Sequence, residues 1–178
     1  EGVIYRKKQD PKNPLGYHLL FAPDVCQGPD GRYYLYYAFD FLGIMSVAVC
    51  DTPAGEYKFL GHIHYADGTL WGRRRGDQLP FDPGVLADDD GRVWLYSGFY
   101  NTVPAILTGG HKLRCDGGTV LELEKDMVTI KTEPRVIFPK KGPGAFQGHE
   151  FFEASSIRKE GKTYIFVYSS RHNHELCY

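Results

Sequence analysis

The sequence has no excess of charge of either sign and no long apolar run. Its 178 residues include 21 Lys and Arg against 22 Asp and Glu, giving a formal net charge of −1. This balance argues against a dedicated nucleic-acid binder and a polybasic membrane-surface protein, because both carry a clear basic excess. No apolar segment approaches the ~18 residues that span a bilayer, so we predict neither nucleic acid nor membrane as a partner.

The chain also starts without a secretory signal and without an initiator methionine, and we therefore expect its true N-terminus to lie upstream. Its four cysteines contain no Cys-x-x-Cys pair, which disfavours a zinc ribbon. Cys26, Cys50 and Cys177 lie in or beside apolar runs, where buried free thiols are expected. Unpaired cysteines favour a cytoplasmic location; secretion, with one or two disulfides, is the alternative.

Aromatic residues, glycine and proline are abundant. The chain has 13 Tyr, 11 Phe, 21 Gly and 11 Pro. Short tyrosine-rich runs between Gly and Pro turns predict many short strands and an all-β fold. Aromatic faces also stack on sugars, but an all-β core explains the same composition without a ligand.

An internal repeat organises the sequence. Residues 21–25 (FAPDV) resemble residues 81–85 (FDPGV), and the same offset of 60 relates the Asp-Gly-Arg turns at 30–32 and 90–92. Asp-Gly between apolar alternations predicts a hairpin, because glycine adopts positive φ without steric cost. A third, weaker copy follows at residues 152–157. We predict three units at 17–64, 79–138 and 150–178, joined by loops.

Four short antiparallel strands per unit are typical of a β-propeller blade. The further strands are predicted at 44–50 and 57–63 in the first unit, and at 105–113, 119–123 and 135–138 in the second. A propeller closes with ~4–8 blades, so three cannot complete the ring. We expect the missing blades to come from the same gene or from a second polypeptide.

Two acids stand at the strand starts that the repeat aligns. The alignment makes Ala22, Asp82 and Glu153 equivalent, and equivalent positions of innermost strands converge on a propeller axis. Two neighbouring buried acids raise the pKa of one of them, which suits a general acid. The alternatives are that Asp82 caps the turn before Pro83 and that Glu153 pairs with Arg158 or His149. Asp24 is expected to point away from the pocket, and residues 88–90 (DDD) to form a solvated turn.

The three motifs together resemble glycoside hydrolase family 43, over residues 19–178. The motifs are FAPDV, then FDP with DDDGRVWLYSG, then HEFFEASSIRK. The resemblance implies a five-bladed β-propeller, of which this chain lacks the first and last blades. It also implies arabinofuranosidase, β-xylosidase or arabinanase activity in the degradation of plant polysaccharides such as xylan.

The resemblance assigns roles to individual residues. Glu153 matches the general acid and Asp82 the acid that tunes its pKa and positions substrate, whereas the general base, an Asp, lies outside this chain. The substrate-binding residues are Phe21, Ala22, Phe81 and His174. No cofactor is required, and family members hold a calcium ion at the axis whose ligands are not identifiable here.

The sequence thus predicts an inverting glycosidase that releases arabinofuranosyl or xylosyl residues from a carbohydrate substrate. The alternative from another class is a non-catalytic carbohydrate-binding propeller, which keeps the aromatic and acidic residues but has no base. A protein-interaction propeller with an empty axis is a third reading, and the paired acids argue against it.

Overall fold

The chain folds as an all-β protein, as predicted. The structure is a computed structural model that describes residues 2–178. The only helix in this range is a 3-10 helix at Lys7–Gln9. No helix within the described residues has the length and hydropathy needed to cross a membrane. The strands are β1 (Leu20–Gln27), β2 (Tyr33–Phe39), β3 (Met45–Cys50), β4 (Lys58–His62), β5 (Gly84–Ala87), β6 (Val93–Phe99), β7 (Gly117–Leu123), β8 (Arg135–Pro139), β9 (Phe151–Glu160), β10 (Thr163–Ser170) and β11 (Leu176–Cys177).

These strands form three antiparallel meanders in chain order. The first sheet is β1-β2-β3-β4, the second β5-β6-β7-β8, and the third β9-β10-β11. The hairpin turns that the repeat predicted carry left-handed glycines at Gly31, Gly91 and Gly161. Positive φ at these positions lets two antiparallel strands reverse without splaying. The result is an incomplete propeller, in agreement with the predicted fold class.

Strand β2 is buried on both faces, because its alternating side chains meet two different neighbours. Tyr34 and Tyr36 face the second sheet and join a core with Leu95 and Leu121. Leu35, Tyr37 and Phe39 point the opposite way, and they pack with Tyr5 of the N-terminal segment. The period of two along a strand explains this division.

The N-terminal segment is tied to the first sheet by polar contacts as well. The Tyr57 N–H donates to Ile4 O at 2.8 Å, and Tyr37 Oη donates to Asp10 Oδ2 at 2.7 Å. Asp10 is fully buried, and its other oxygen lies 3.0 Å from His62 Nε2. Burial opposes ionisation of Asp10, but the hydrogen bonds from His62 and Tyr37 lower its pKa overall.

The three sheets meet through their innermost strands, β1, β5 and β9, which are neighbours in space. Asp24 on β1 joins all three. Its Oδ2 accepts a hydrogen bond from the Val85 N–H on β5 at 2.8 Å, and its Oδ1 accepts one from Arg158 on β9 at 2.9 Å. Asp24 therefore points toward the neighbouring strands, and it secures the sheets to one another near the axis.

One local prediction was wrong and another holds only in part. Residues 105–110 form consecutive turns and 105–113 contain no strand, because Gly109 and Gly110 both adopt positive φ and Gly110 N–H bonds back to Ala105 O. The predicted solvated turn at 88–90 is confirmed for Asp89 and Asp90, which are exposed, but not for Asp88. Its side chain is 7% exposed, and it accepts hydrogen bonds from Lys159 and, at 2.6 Å, from Tyr164 of the third sheet.

Replacing Asp24 by alanine is expected to destabilise the fold. The Val85 N–H is buried and loses its acceptor, which costs about 1–3 kcal/mol. Urea denaturation of the Asp24→Ala variant at pH 7 measures the free energy of unfolding. Asp51→Ala, in an exposed turn, is the matched control and should leave it unchanged. Equal unfolding midpoints for the two variants would contradict the bridging role of Asp24.

Candidate active site

One non-glycine residue in or just before each innermost strand adopts the left-handed conformation. The residues are Ala22, Asp82 and Ala154, with φ of +46°, +51° and +61°. In the first and third sheets the residue sits in a break of register, because two residues on the inner strand lie opposite one on its partner. Such a bulge bends the strand and redirects the neighbouring side chains.

The positions of the bulges show that the predicted equivalence of Ala22, Asp82 and Glu153 was wrong for Glu153. Phe21 pairs with Ala38 immediately before the first bulge, and Glu153 pairs with Ser169 immediately before the third. Ala154, and not Glu153, is therefore the equivalent of Ala22 and Asp82. Glu153 stands one residue earlier, at the position that Phe21 and Phe81 occupy in the other units.

A cavity of about 450 Å³ brings most of the predicted site residues together. Its lining residues are Phe21, Phe41, Phe81, Asp82, Phe99, Phe152, Glu153 and His174. Both acids face this one space despite their different positions in the repeat. Ala22 is not among the lining residues, although it is the equivalent of Asp82, because its methyl group is much shorter than a carboxylate side chain.

Sequence reasoning missed three residues of the aromatic wall, which are Phe41, Phe99 and Phe152. The Phe41 ring stacks on Phe81 with centroids 5.3 Å apart, and Phe99 lies 5.5 Å from both Phe41 and Phe152. Phe99 repeats Phe39 at the offset of 60, but Phe39 packs with the N-terminal segment, so the repeat does not indicate that Phe99 lines the cavity. Phe41 has no such counterpart, since residue 101 is an asparagine.

Asp82 is a buried carboxyl that resists ionisation. Its residue is 6% exposed, and this burial raises its pKa from 3.8 to about 7, with a further contribution from the charge of Glu153. The Ala154 N–H, which donates to Asp82 Oδ2 at 2.8 Å, partly offsets the shift. The carboxylate thus bonds to the third sheet and does not cap the turn before Pro83.

Glu153 is half-buried, and burial also raises its pKa, whereas the charge of the nearby His174 opposes the rise. His174 packs edge-on against Phe152, with ring centroids 4.6 Å apart, and its Nδ1 lies 3.4 Å from Ser169 Oγ. The alternative in which Glu153 pairs with Arg158 is not seen, because Arg158 bonds to Asp24. Burial thus favours the protonated form of both acids more than water does, which is what a general acid requires.

The described residues contain no cluster of typical metal-ligating side chains. Among residues 2–178, no three His, Cys, Asp or Glu side chains come close enough together to hold a metal ion.

Three innermost strands of an incomplete propeller thus surround an aromatic-walled cavity that contains two acids. The sequence profile of glycosyl hydrolases family 43 matches residues 2–175. The chain belongs to this family. It is 54% identical, over 182 residues, to a xylosidase/arabinosidase of Thermoclostridium stercorarium, a match that covers 100% of this chain and 36% of that protein.

Solved structures agree with the fold. A β-xylosidase called RS223 superposes with a TM-score of 0.67 at 24% identity, over 99% of this chain and 56% of that one. An α-L-arabinofuranosidase from Clostridium thermocellum gives 0.62 at 25% identity, over 96% and 48%. The chain thus spans about a third to a half of the length of these relatives.

The raised pKa of Asp82 predicts that its carboxylate destabilises the fold at neutral pH. The unfolded state ionises this group near pH 3.8 but the folded state only near 7, so stability falls between these values as pH rises and the full cost applies above them. Asp82→Asn removes the charge and keeps an acceptor for the Ala154 N–H. We expect it to raise the free energy of unfolding by about 1–3 kcal/mol at pH 8 and by little at pH 4.

Urea denaturation across this pH range tests the prediction, and Asp88→Asn is its opposite-sign control. Hydrogen bonds from Lys159 and Tyr164 lower the pKa of Asp88 to about 2, so its charge stabilises the fold above about pH 4 and this contribution is lost as pH falls toward 2. Asp88→Asn should therefore destabilise at pH 7. A pH-independent effect of Asp82→Asn would contradict the raised pKa.

Proposed function

We propose that the complete protein is an inverting glycosidase that releases xylosyl or arabinofuranosyl residues from plant polysaccharides or their oligosaccharides. The observation that carries this proposal is the shared cavity, which Asp82 and Glu153 line together with phenylalanine rings. Aromatic rings offer apolar faces on which sugar rings stack. The xylosidase/arabinosidase name of the 54% identical relative supports the substrate class.

Glu153 is the proposed general acid. Its raised pKa keeps a proton available near neutral pH, and the proton passes to the glycosidic oxygen as the bond to the leaving group breaks. Asp82 is the proposed partner that binds a sugar hydroxyl and, when ionised, keeps the pKa of Glu153 high. Phe21, Phe81 and His174 complete the sugar-binding surface in this proposal.

Inversion requires a general base outside this chain. That base, proposed to be an aspartate, activates a water molecule on the opposite face of the sugar, and in inverting enzymes it stands ~6.5–9.5 Å from the acid. The remaining blades of the propeller are proposed to supply it, from the same gene or from a second polypeptide. A lone 178-residue chain is therefore expected to bind sugar without efficient turnover.

We also propose a cytoplasmic location for this enzyme. All four cysteines, which lie in the described part of the chain, are free thiols, and this favours a cytoplasmic enzyme acting on imported oligosaccharides.

The alternative function, a non-catalytic carbohydrate-binding propeller, is favoured if the complete protein has no base, since Phe21 and the two acids alone could bind a sugar.

Glu153→Gln in the complete protein tests the acid role. General acid catalysis contributes about 10²–10⁴-fold, so we expect kcat on xylo- and arabino-oligosaccharides to fall by that factor. An aryl glycoside with an activated nitrophenol leaving group needs little protonation and should lose much less. Both rates are measured on wild type and variant at pH 6–7, and NMR of the first product should show the inverted anomer.

Glu175→Gln serves as the control, because Glu175 is an exposed acid that does not line the cavity. It should leave both rates unchanged. An unchanged oligosaccharide rate in Glu153→Gln would rule out the acid role. Sugar binding without any hydrolysis by the complete wild-type protein would favour the carbohydrate-binding alternative.

A further inference from the structure

The peptide groups of Phe81, the residue just before Asp82, are held by a buried serine. Ser97 on β6 is 0% exposed. Its Oγ accepts a hydrogen bond from the Phe81 N–H at 2.9 Å and donates one to Phe81 O at 2.7 Å. The Gly98 N–H donates to the same carbonyl at 2.8 Å. Strand β6 therefore satisfies both backbone polar groups of the residue that precedes Asp82.

This serine contact occurs only where the strand ladder is missing. Strands β1 and β9 run through their bulges, so the residues before them, Phe21 and Glu153, lie within paired strands. Strand β5 starts only at Gly84, after Asp82 and Pro83. Proline has no N–H to donate to a ladder. The Ser97 hydroxyl thus takes over the anchoring that strand pairing provides in the other two sheets.

The residues equivalent to Ser97 in the other sheets form hydrogen bonds elsewhere and not to the residue before the left-handed one. In the first sheet Phe21 pairs with Ala38, and the residue before Ala38 is Tyr37. In the third sheet Glu153 pairs with Ser169, and the residue before Ser169 is Tyr168. The Tyr37 hydroxyl donates to Asp10, and that of Tyr168 donates to His149 O. A short hydroxyl side chain at this position accordingly accompanies the one left-handed residue of the three that is an acid, Asp82.

Asp82 needs such an anchor, because its backbone conformation is unfavourable. A non-glycine residue at positive φ costs about 1–2 kcal/mol and persists only where its surroundings determine it. Two contacts hold it: Ser97 fixes the preceding peptide, and the Ala154 N–H binds the carboxylate at 2.8 Å. If the first is released, Asp82 can relax toward the extended region, and its carboxylate turns away from the cavity.

We propose that Ser97 is a positioning residue that holds Asp82 in the left-handed conformation and thereby keeps its carboxylate in the cavity with Glu153. The link to catalysis rests on the function proposed above, in which Asp82 serves the glycosidase reaction. The structural part does not, because it concerns only where the Asp82 carboxylate lies. Glu153 and His174 are the other titratable groups that face this cavity.

The test follows the Asp82 carboxyl directly in the 178-residue chain, by NMR titration of ¹³C-labelled aspartate and glutamate, with Asp82→Asn used for assignment. In Ser97→Ala we expect the midpoint of Asp82 to fall from near 7 toward 3.8, as the group gains solvent. Ser97→Thr keeps the hydroxyl and should retain the wild-type midpoint.

Ser46→Ala is the matched control. Ser46 is another 0% exposed serine, on β3, and its hydroxyl has no hydrogen-bond partner among the described residues. It should leave the Asp82 midpoint unchanged. An unchanged midpoint in folded Ser97→Ala, or an equal shift in Ser46→Ala, overturns the proposal. If Ser97→Ala does not fold, Ser97→Cys, with similar volume and weaker hydrogen bonds, is measured against the same criteria.

Kinetics of the complete protein separate this inference from the proposed function. If the protein is a glycosidase, Ser97→Ala should lower kcat by roughly tenfold or more, because small displacements of a catalytic group are costly, and the acidic limb of its pH profile should shift with Asp82. If the wild type hydrolyses no xyloside or arabinoside, the proposed function fails, whereas the NMR result still decides the role of Ser97.

Discussion

Hydrogen bonds from the backbone of one innermost strand to a carboxylate on the preceding one join the three sheets near the axis. Asp24 accepts the Val85 N–H and Asp82 accepts the Ala154 N–H, both at 2.8 Å. Such contacts tie strands together without a ladder, so the sheets can diverge radially and leave a space between them. The cavity with the two acids lies in that space. One of the two carboxylates that hold the sheets in place is thus also part of the candidate site.

This double use explains why Asp82 is costly to the fold. A carboxylate that only joined two strands would be most useful when ionised, but burial pushes its pKa up to about 7 despite the Ala154 N–H. Strain adds to this cost, since the residue adopts a left-handed backbone. Conflicts of this kind between stability and local structure are characteristic of functional sites.

The repeat predicted the hairpins and their turns well, because Asp-Gly turns and alternating apolar residues are local signals. It could not predict where each bulge falls. A bulge adds one residue to a strand and has no distinctive residue type. The alignment therefore made Glu153 the equivalent of Asp82, whereas in the structure Ala154 is its equivalent. The false strand at 105–113 has a different cause: it starts with an apolar run at 105–107, but two successive left-handed glycines, Gly109 and Gly110, decide the backbone. Phe41 lines the cavity because it packs against Phe81 in the tertiary structure, and no sequence pattern indicates this position.

The position shared by Phe21, Phe81 and Glu153 has a consequence for how such repeats diversify. In two units it supplies an aromatic wall and in the third an acid, and in each unit a residue in the left-handed conformation follows it. A duplicated unit can therefore gain or lose a reactive group by a single substitution at this place, without rebuilding its sheet. Divergence of specificity within a repeating scaffold then needs fewer coordinated mutations than the remodelling of a loop.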